Sequence, residues 1–140
     1  MGIKDVFTQR ECKVLYALKE DGKSPYGDRV YVQDDLGNRF LFAHLAWFAC
    51  AQGDILKPWE TFAEMGETGY CKSGAHLHLS MFDDSDSFMG AEEAIDPTLY
   101  IKKYGYPCNT RITNEFGSKH CNPKLDGHEG IDFSSWREIV

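Results

Sequence analysis

The run Ser73-Gly74-Ala75-His76-Leu77-His78-Leu79-Ser80-Met81-Phe82 limits what this chain can fold into more than any other stretch. Polar and apolar residues alternate through it, and a β-strand sends successive side chains to opposite faces. His76, His78 and Ser80 then share one face, while Leu77, Leu79 and Met81 share the other. The apolar face suits a core and the imidazole face suits a cleft. Residues i and i+2 of a strand lie about 6–7 Å apart, so one imidazole can ligate a zinc ion at about 2.0–2.1 Å while its neighbour reaches a water beside it. Taken alone, a His-x-His pair on a strand is more often a repeating polar face than a site. Residues 62–74, just before it, read as a short strand and a loop with three glycines, Gly66, Gly69 and Gly74, which allow a close approach to the histidine strand.

A chain of 140 residues supports a single domain, residues 1–140, that buries about 68% of its unfolded surface. The 22 acidic and 15 basic residues leave a net charge of -7, which disfavours nonspecific binding to nucleic acid or anionic lipid. No apolar run approaches the roughly 18 residues of a membrane span. The first residues, Met1-Gly2-Ile3-Lys4-Asp5-Val6, lack the charged-then-apolar layout of a signal peptide, and Val6 departs from the myristoylation pattern. The cysteines (Cys12, Cys50, Cys71, Cys108, Cys121) are odd in number and include no Cys-x-x-Cys pair. Free thiols are expected, not a disulfide framework or a cysteine zinc site.

In chain order, Val6-Phe7-Thr8 reads as a short strand, and Val14–Leu18 as a strand or the start of a helix. Residues 26–34 and 39–45 are alternating runs joined by Asp35-Leu36-Gly37-Asn38, a hairpin whose second strand carries His44. By itself His44 is a hydrogen-bonded strand residue. The aromatic segment 46–52 is expected to pack into the core, with a substrate-contacting rim as the alternative. Asp83-Asp84-Ser85-Asp86-Ser87 does not have the spacing of an EF-hand loop and reads as a solvated turn. Near the end, His128 and Asp132 are two acceptable zinc ligands, but in a straight strand they would lie about 13 Å apart. The chain must bend between them, and Gly130 permits that.

Several of these motifs together resemble the lysostaphin/LytM-type zinc endopeptidases, which cut peptide links in bacterial peptidoglycan. Met65-Gly66-x-Thr68-Gly69-x-x-x-Ser73-Gly74-x-His76-Leu77-His78 is similar to the end of that family's active-site region. Tyr26-Gly27-Asp28-x-Val30-x-Val32 followed by Gly37-Asn38-x-Phe40-x-Phe42-Ala43-His44-Leu45 is similar to its central hairpin, with Phe42 in place of a tyrosine. Ile95-Asp96-Pro97 resembles its closing segment, so residues 6–101 match the family's second half. Residues 111–140 resemble its first part, through Ile112-Thr113-x-x-Phe116-Gly117 and His128-x-Gly130-Ile131-Asp132, with Lys119 where arginine is usual. His120 matches no role.

The resemblance implies a mainly β, antiparallel sheet or sandwich, apparently circularly permuted. It implies a Zn2+ ion held by His78, His128 and Asp132, and an open position for water whose pKa the metal lowers towards about 7. His76 would be the general base, and His44 would steady the oxyanion or orient the water. The implied substrate is peptidoglycan peptide, and the implied location is extracellular, at a cell wall or virion. No nucleophile turn such as Gly-x-Ser-x-Gly supports a serine or cysteine hydrolase. The alternative readings are an inactive wall-binding or structural module of the same fold, and a structural zinc protein, which would close its site with four protein ligands. The halves stand in reversed order, which fits a permutant or a window across tandem domains. A permutant predicts an intrachain site with the two terminal segments adjacent in one sheet.

Overall fold

Alternating sequences produce the centre of the structure. The computed structural model describes residues 2–22, 24–69, 74–82, 94–117, 128 and 130–134. The elements are β1 (Asp5–Val6), β2 (Cys12–Leu18), β3 (Arg29–Asp34), β4 (Arg39–Ala43), β5 (Leu45–Phe48), β6 (Ile55–Leu56), β7 (Ala63–Met65), β8 (Leu77–Phe82), β9 (Ala94–Ile95), α1 (Thr98–Tyr104), β10 (Arg111–Asn114) and β11 (Ile131–Ser134). One sheet runs β10-β11-β8-β4-β3-β2-β6, with β9 also paired to β8, and a smaller sheet runs β1-β7-β5. The pairings are antiparallel.

The predicted hairpin is β3–β4, closed by a turn in which Gly37 has φ 93°. The Asp34 carboxylate holds that turn, accepting from the Leu36 and Asn38 backbone N–H groups at 3.0 and 2.8 Å. Tyr100 Oη, on α1, donates to the same carboxylate at 2.8 Å. The sequence leaves 14–18 undecided, and the structure makes it strand, with a bulge between Val14 and Tyr16. The helix α1 is a feature that the strand periodicity does not announce.

The period-2 pattern sorts the large sheet into two faces. Val30, Val32, Phe40, Phe42, Leu77, Leu79, Met81, Ile131 and Phe133 form one core with Val6, Ala63 and Met65 of the small sheet and Tyr100 and Ile101 of α1. Each fully buried Val, Leu, Ile, Phe or Met among them contributes about 1.5–3 kcal/mol. The opposite face, which carries His78, is not an open cleft: all of β8 is buried. Leu41, Ala43 and Phe82 make a second cluster there, covered by Tyr26, Tyr31 and Ala94.

Two expectations change in detail. The strand through Leu45 breaks at His44, a non-glycine residue at φ 60°, and this corner carries the chain from β4 in the large sheet to β5 in the small one. Of the aromatic segment 46–52, Phe48 packs against the core, but Trp47 is 41% exposed. Core packing accounts for one aromatic only.

β1 and β11 lie in different sheets, so these two strands are not the adjacent pair expected of the terminal segments. Residues 137–140, the acidic run 83–87, Cys71, Cys121 and His120 fall outside the described residues. Cys12, Cys50 and Cys108 are free thiols. Among the described residues, no helix is long and apolar enough to cross a membrane.

Candidate metal centre

Three strands meet at His78. It is the register partner of Ala43 on β4 and of Asp132 on β11, which sets the Asp132 side chain beside its own on one face of the sheet. His128, just before β11, folds back to the same point. The result is a triangle of ligand atoms: His78 Nδ1 to Asp132 Oδ1 is 3.1 Å, His78 Nδ1 to His128 Nε2 is 3.2 Å, and His128 Nε2 to Asp132 Oδ1 is 3.2 Å. All three come from one chain.

The outer nitrogens show what this triangle could hold. His128 Nδ1 faces the Glu115 carbonyl at 3.2 Å; a carbonyl only accepts, so Nδ1 carries the proton and the neutral ring turns a lone pair at Nε2 towards a carboxylate oxygen. His78 Nε2 lies 2.7 Å from Ser80 Oγ, a partner that lets Nδ1 be a lone-pair donor too. Three electron-rich atoms facing one another could hold a cation between them. Tetrahedral ligands at about 2.0–2.1 Å from zinc stand about 3.3 Å apart, and the observed edges fit that size. Outer hydrogen bonds that fix ring orientation are also what metal-binding histidines use.

Gly130 makes the approach possible, though not by the bend the sequence suggests. It is not among the positive-φ glycines. A Cβ there would strike the Leu79 carbonyl and lie 2.8 Å from His78 Nε2 and 2.9 Å from Cε1. Closeness, not turning, requires the glycine.

Two further imidazoles border the triangle. The His44 ring centroid is 5.9 Å from that of His78 and 4.7 Å from that of His76. His44 Nδ1 donates to the Thr68 carbonyl at 2.7 Å, and His76 Nδ1 donates to the Gly74 carbonyl at 2.8 Å. Each neutral ring therefore keeps its lone pair on Nε2. Burial, then the neighbouring His78 and His76, push the His44 pKa down to about 3, so this ring is neutral at pH 7. Burial alone would raise the Asp132 carboxyl, but in the metal-free chain, where a facing imidazole nitrogen can take up a proton, hydrogen bonding to His128 and His78 outweighs it and holds the group well below the usual carboxylate range.

The sequence marked Tyr26 only as part of the hairpin motif, yet its ring packs 5.6 Å from that of His78, and it did not point to the Glu115 carbonyl, whose side chain says nothing of its role. Phe42, the departure from the family pattern, lies on the core face against Phe62 at 5.2 Å, away from the imidazoles.

No family model matches the sequence, and no curated protein matches it. Solved structures do match. The catalytic domain of the antimicrobial peptidase lysostaphin from Staphylococcus simulans is similar with a TM-score of 0.62 and 23% identity, covering 73% of this chain and 74% of that one. LytU gives a TM-score of 0.61 and 24% identity over 71% of this chain, which spans 65% of the LytU chain. A complex of SpoIIIAH and SpoIIQ gives 0.54 and 20%, covering 69% of this chain and 61% of that one. The two antiparallel sheets described above are thus those of the lysostaphin/LytM-type peptidase fold.

Proposed function

We propose that this chain is a zinc-dependent endopeptidase that cuts peptide bonds of bacterial peptidoglycan, with His78, His128 and Asp132 as the metal ligands and His76 and His44 as the catalytic residues. The observation that carries the reading is the lone-pair triangle of 3.1–3.2 Å edges with two more imidazole acceptors beside it. Zinc bound there would act as a Lewis acid and lower the pKa of water towards about 7.

The chain's own groups divide the remaining work. With Nδ1–H tied to the Gly74 carbonyl, His76 offers Nε2 to take the proton of the attacking water. His44, tied to the Thr68 carbonyl, also offers a lone pair. Two acceptors suit the two hydrogens of one water molecule, so the geometry favours His44 as an orienter of water. A hydrogen bond from His44 to an oxyanion would need a second proton on Nε2. Three protein ligands among the described residues, not four, favour a hydrolytic over a purely structural zinc site.

The site of action that follows is the cell wall, outside the cell or on a virion. The two motif halves meet through β8 and β11 of a single chain, which supports reading their order as a circular permutation. A binding module is the second reading, and the specific observation in its favour is the likeness to a complex of two proteins, SpoIIIAH and SpoIIQ.

The deciding experiment is digestion of peptidoglycans of known cross-bridge type by the zinc-loaded chain, with the released ends identified by mass spectrometry. New amino and carboxyl ends are expected from the wild type, and none from His76→Ala with its zinc retained. His78→Ala should lose the zinc. A zinc-loaded wild type that binds peptidoglycan and releases no ends would overturn the enzyme reading in favour of the binding module.

A further inference from the structure

The peptide joining Thr68 to Gly69 holds His44 on one side and is itself held on the other. Its carbonyl accepts from His44 Nδ1 at 2.7 Å, and its N–H donates to Glu20 Oε1 at 2.9 Å. Carboxylate, peptide plane and imidazole form one line of hydrogen bonds, and each bond in such a line polarises the next. Negative charge at Glu20 draws on the Gly69 N–H, enriches the Thr68 carbonyl oxygen and tightens its hold on the Nδ1 proton.

The plane has little freedom to turn. Thr68 Oγ1 donates to the Leu45 carbonyl at 2.8 Å and accepts from Asp28 N–H at 3.0 Å. The Glu20 N–H donates to Asp28 Oδ1 at 2.7 Å, closing the network. The two loops touch only because both carry glycine at the contact: a Cβ on Gly27 would overlap the Thr68–Gly69 peptide, and one on Gly69 would strike the Pro25 carbonyl. His44 benefits from such support, because φ 60° lies in the left-handed region that residues with a side chain adopt only uncommonly.

We propose that Glu20 is a positioning residue for His44, acting through the Thr68–Gly69 peptide. The inference rests on the peptidase reading for its kinetic readout but not for its spectroscopic one. Glu20 is exposed, so its replacement leaves no hole in the core.

The test uses the zinc-loaded full chain as Glu20→Ala, Glu20→Gln and wild type. Hydrolysis of the peptidoglycan fragment that the wild type cleaves is measured together with the His44 Nδ1–H resonance by NMR. Glu20→Ala should lower kcat about tenfold, the scale of a small misplacement of a catalytic group, with KM and zinc content unchanged. The Nδ1–H resonance should move upfield as the bond weakens. Glu20→Gln keeps an acceptor without the charge and should fall between. In a His44→Ala background, Glu20→Ala should cost nothing further, since the two act as one unit. An unmoved resonance overturns the proposal, as does an equal loss of kcat in the His44→Ala background. A fall in Tm with kcat and resonance both unchanged makes Glu20 merely structural and overturns it as well. If the wild type cleaves nothing, the peptidase reading fails by itself, and the resonance alone decides: a shift in Glu20→Ala upholds the positioning role, and none refutes it.

Discussion

Gly130→Ala adds one methyl group at the tightest point of the site. The new Cβ would stand 2.8 Å from His78 Nε2, and reaching an ordinary contact of about 3.4 Å or more requires a retreat of at least about 0.6 Å. The ring can yield only by giving up Ser80 Oγ at 2.7 Å. The Leu79 carbonyl, which the Cβ would also strike, can yield only if β11 separates from β8. That movement breaks the pairs Ile131–Leu79, Asp132–His78 and Phe133–Leu77 and draws Asp132 Oδ1 away from His78 Nδ1. Overpacking of this kind costs about 1–3 kcal/mol. The larger effect is on the metal, because ligand distances tolerate only about ±0.2 Å, and disturbing ligand orientation costs about 10–100-fold in affinity. Urea unfolding of the metal-free chain and competition for zinc against a chromophoric chelator measure the two effects separately. A Gly130→Ala protein with the wild-type unfolding midpoint and zinc affinity within twofold of wild type would refute the claim that closeness at this residue builds the site.

Removing the Tyr100 hydroxyl by Tyr100→Phe takes a 2.8 Å hydrogen bond from the buried Asp34 carboxylate and should cost about 1–3 kcal/mol in urea unfolding; an unchanged midpoint would count against the Asp34 network. His44 has its folded pKa pushed down from 6.5 to about 3, so the unfolded chain binds a proton first as pH falls. Its contribution to stability is complete above pH 6.5 and should be lost from there down through about pH 3, with a slope of up to about 1.4 kcal/mol per pH unit in the metal-free chain. His44→Gln should flatten that slope between about pH 4.5 and 6.5, above the range where ordinary carboxylates titrate, and equal slopes would contradict a buried neutral imidazole. His128→Ala should abolish stoichiometric zinc by elemental analysis, because two ligands remain of a set that needs three; retained zinc would place the ion elsewhere.

Much of the fold was legible because a local rule produces it. Alternation along 30–34, 39–43 and 77–82 assigns each side chain to a face before any partner is known, and the Asp34–Asn38 turn joins two of these strands with its own carboxylate and glycine. The candidate ligands could be named the same way, as residue types in a spacing that resembles a family. Their distances could not. His78 and Asp132 stand 54 residues apart in the chain, and only the β8–β11 register makes them neighbours. The break at His44 was invisible because the segment keeps its alternation while the backbone turns left-handed, held there by hydrogen bonds to Tyr26, Gly66 and Thr68. Nor could alternation tell that the imidazole face would be covered, since Tyr26 and Ala94 reach it from outside β8. Gly130 shows the division within one residue. The sequence marks a place where a side chain is missing, and the tertiary structure decides why: a neighbouring strand and its histidine ring occupy the space a Cβ would need.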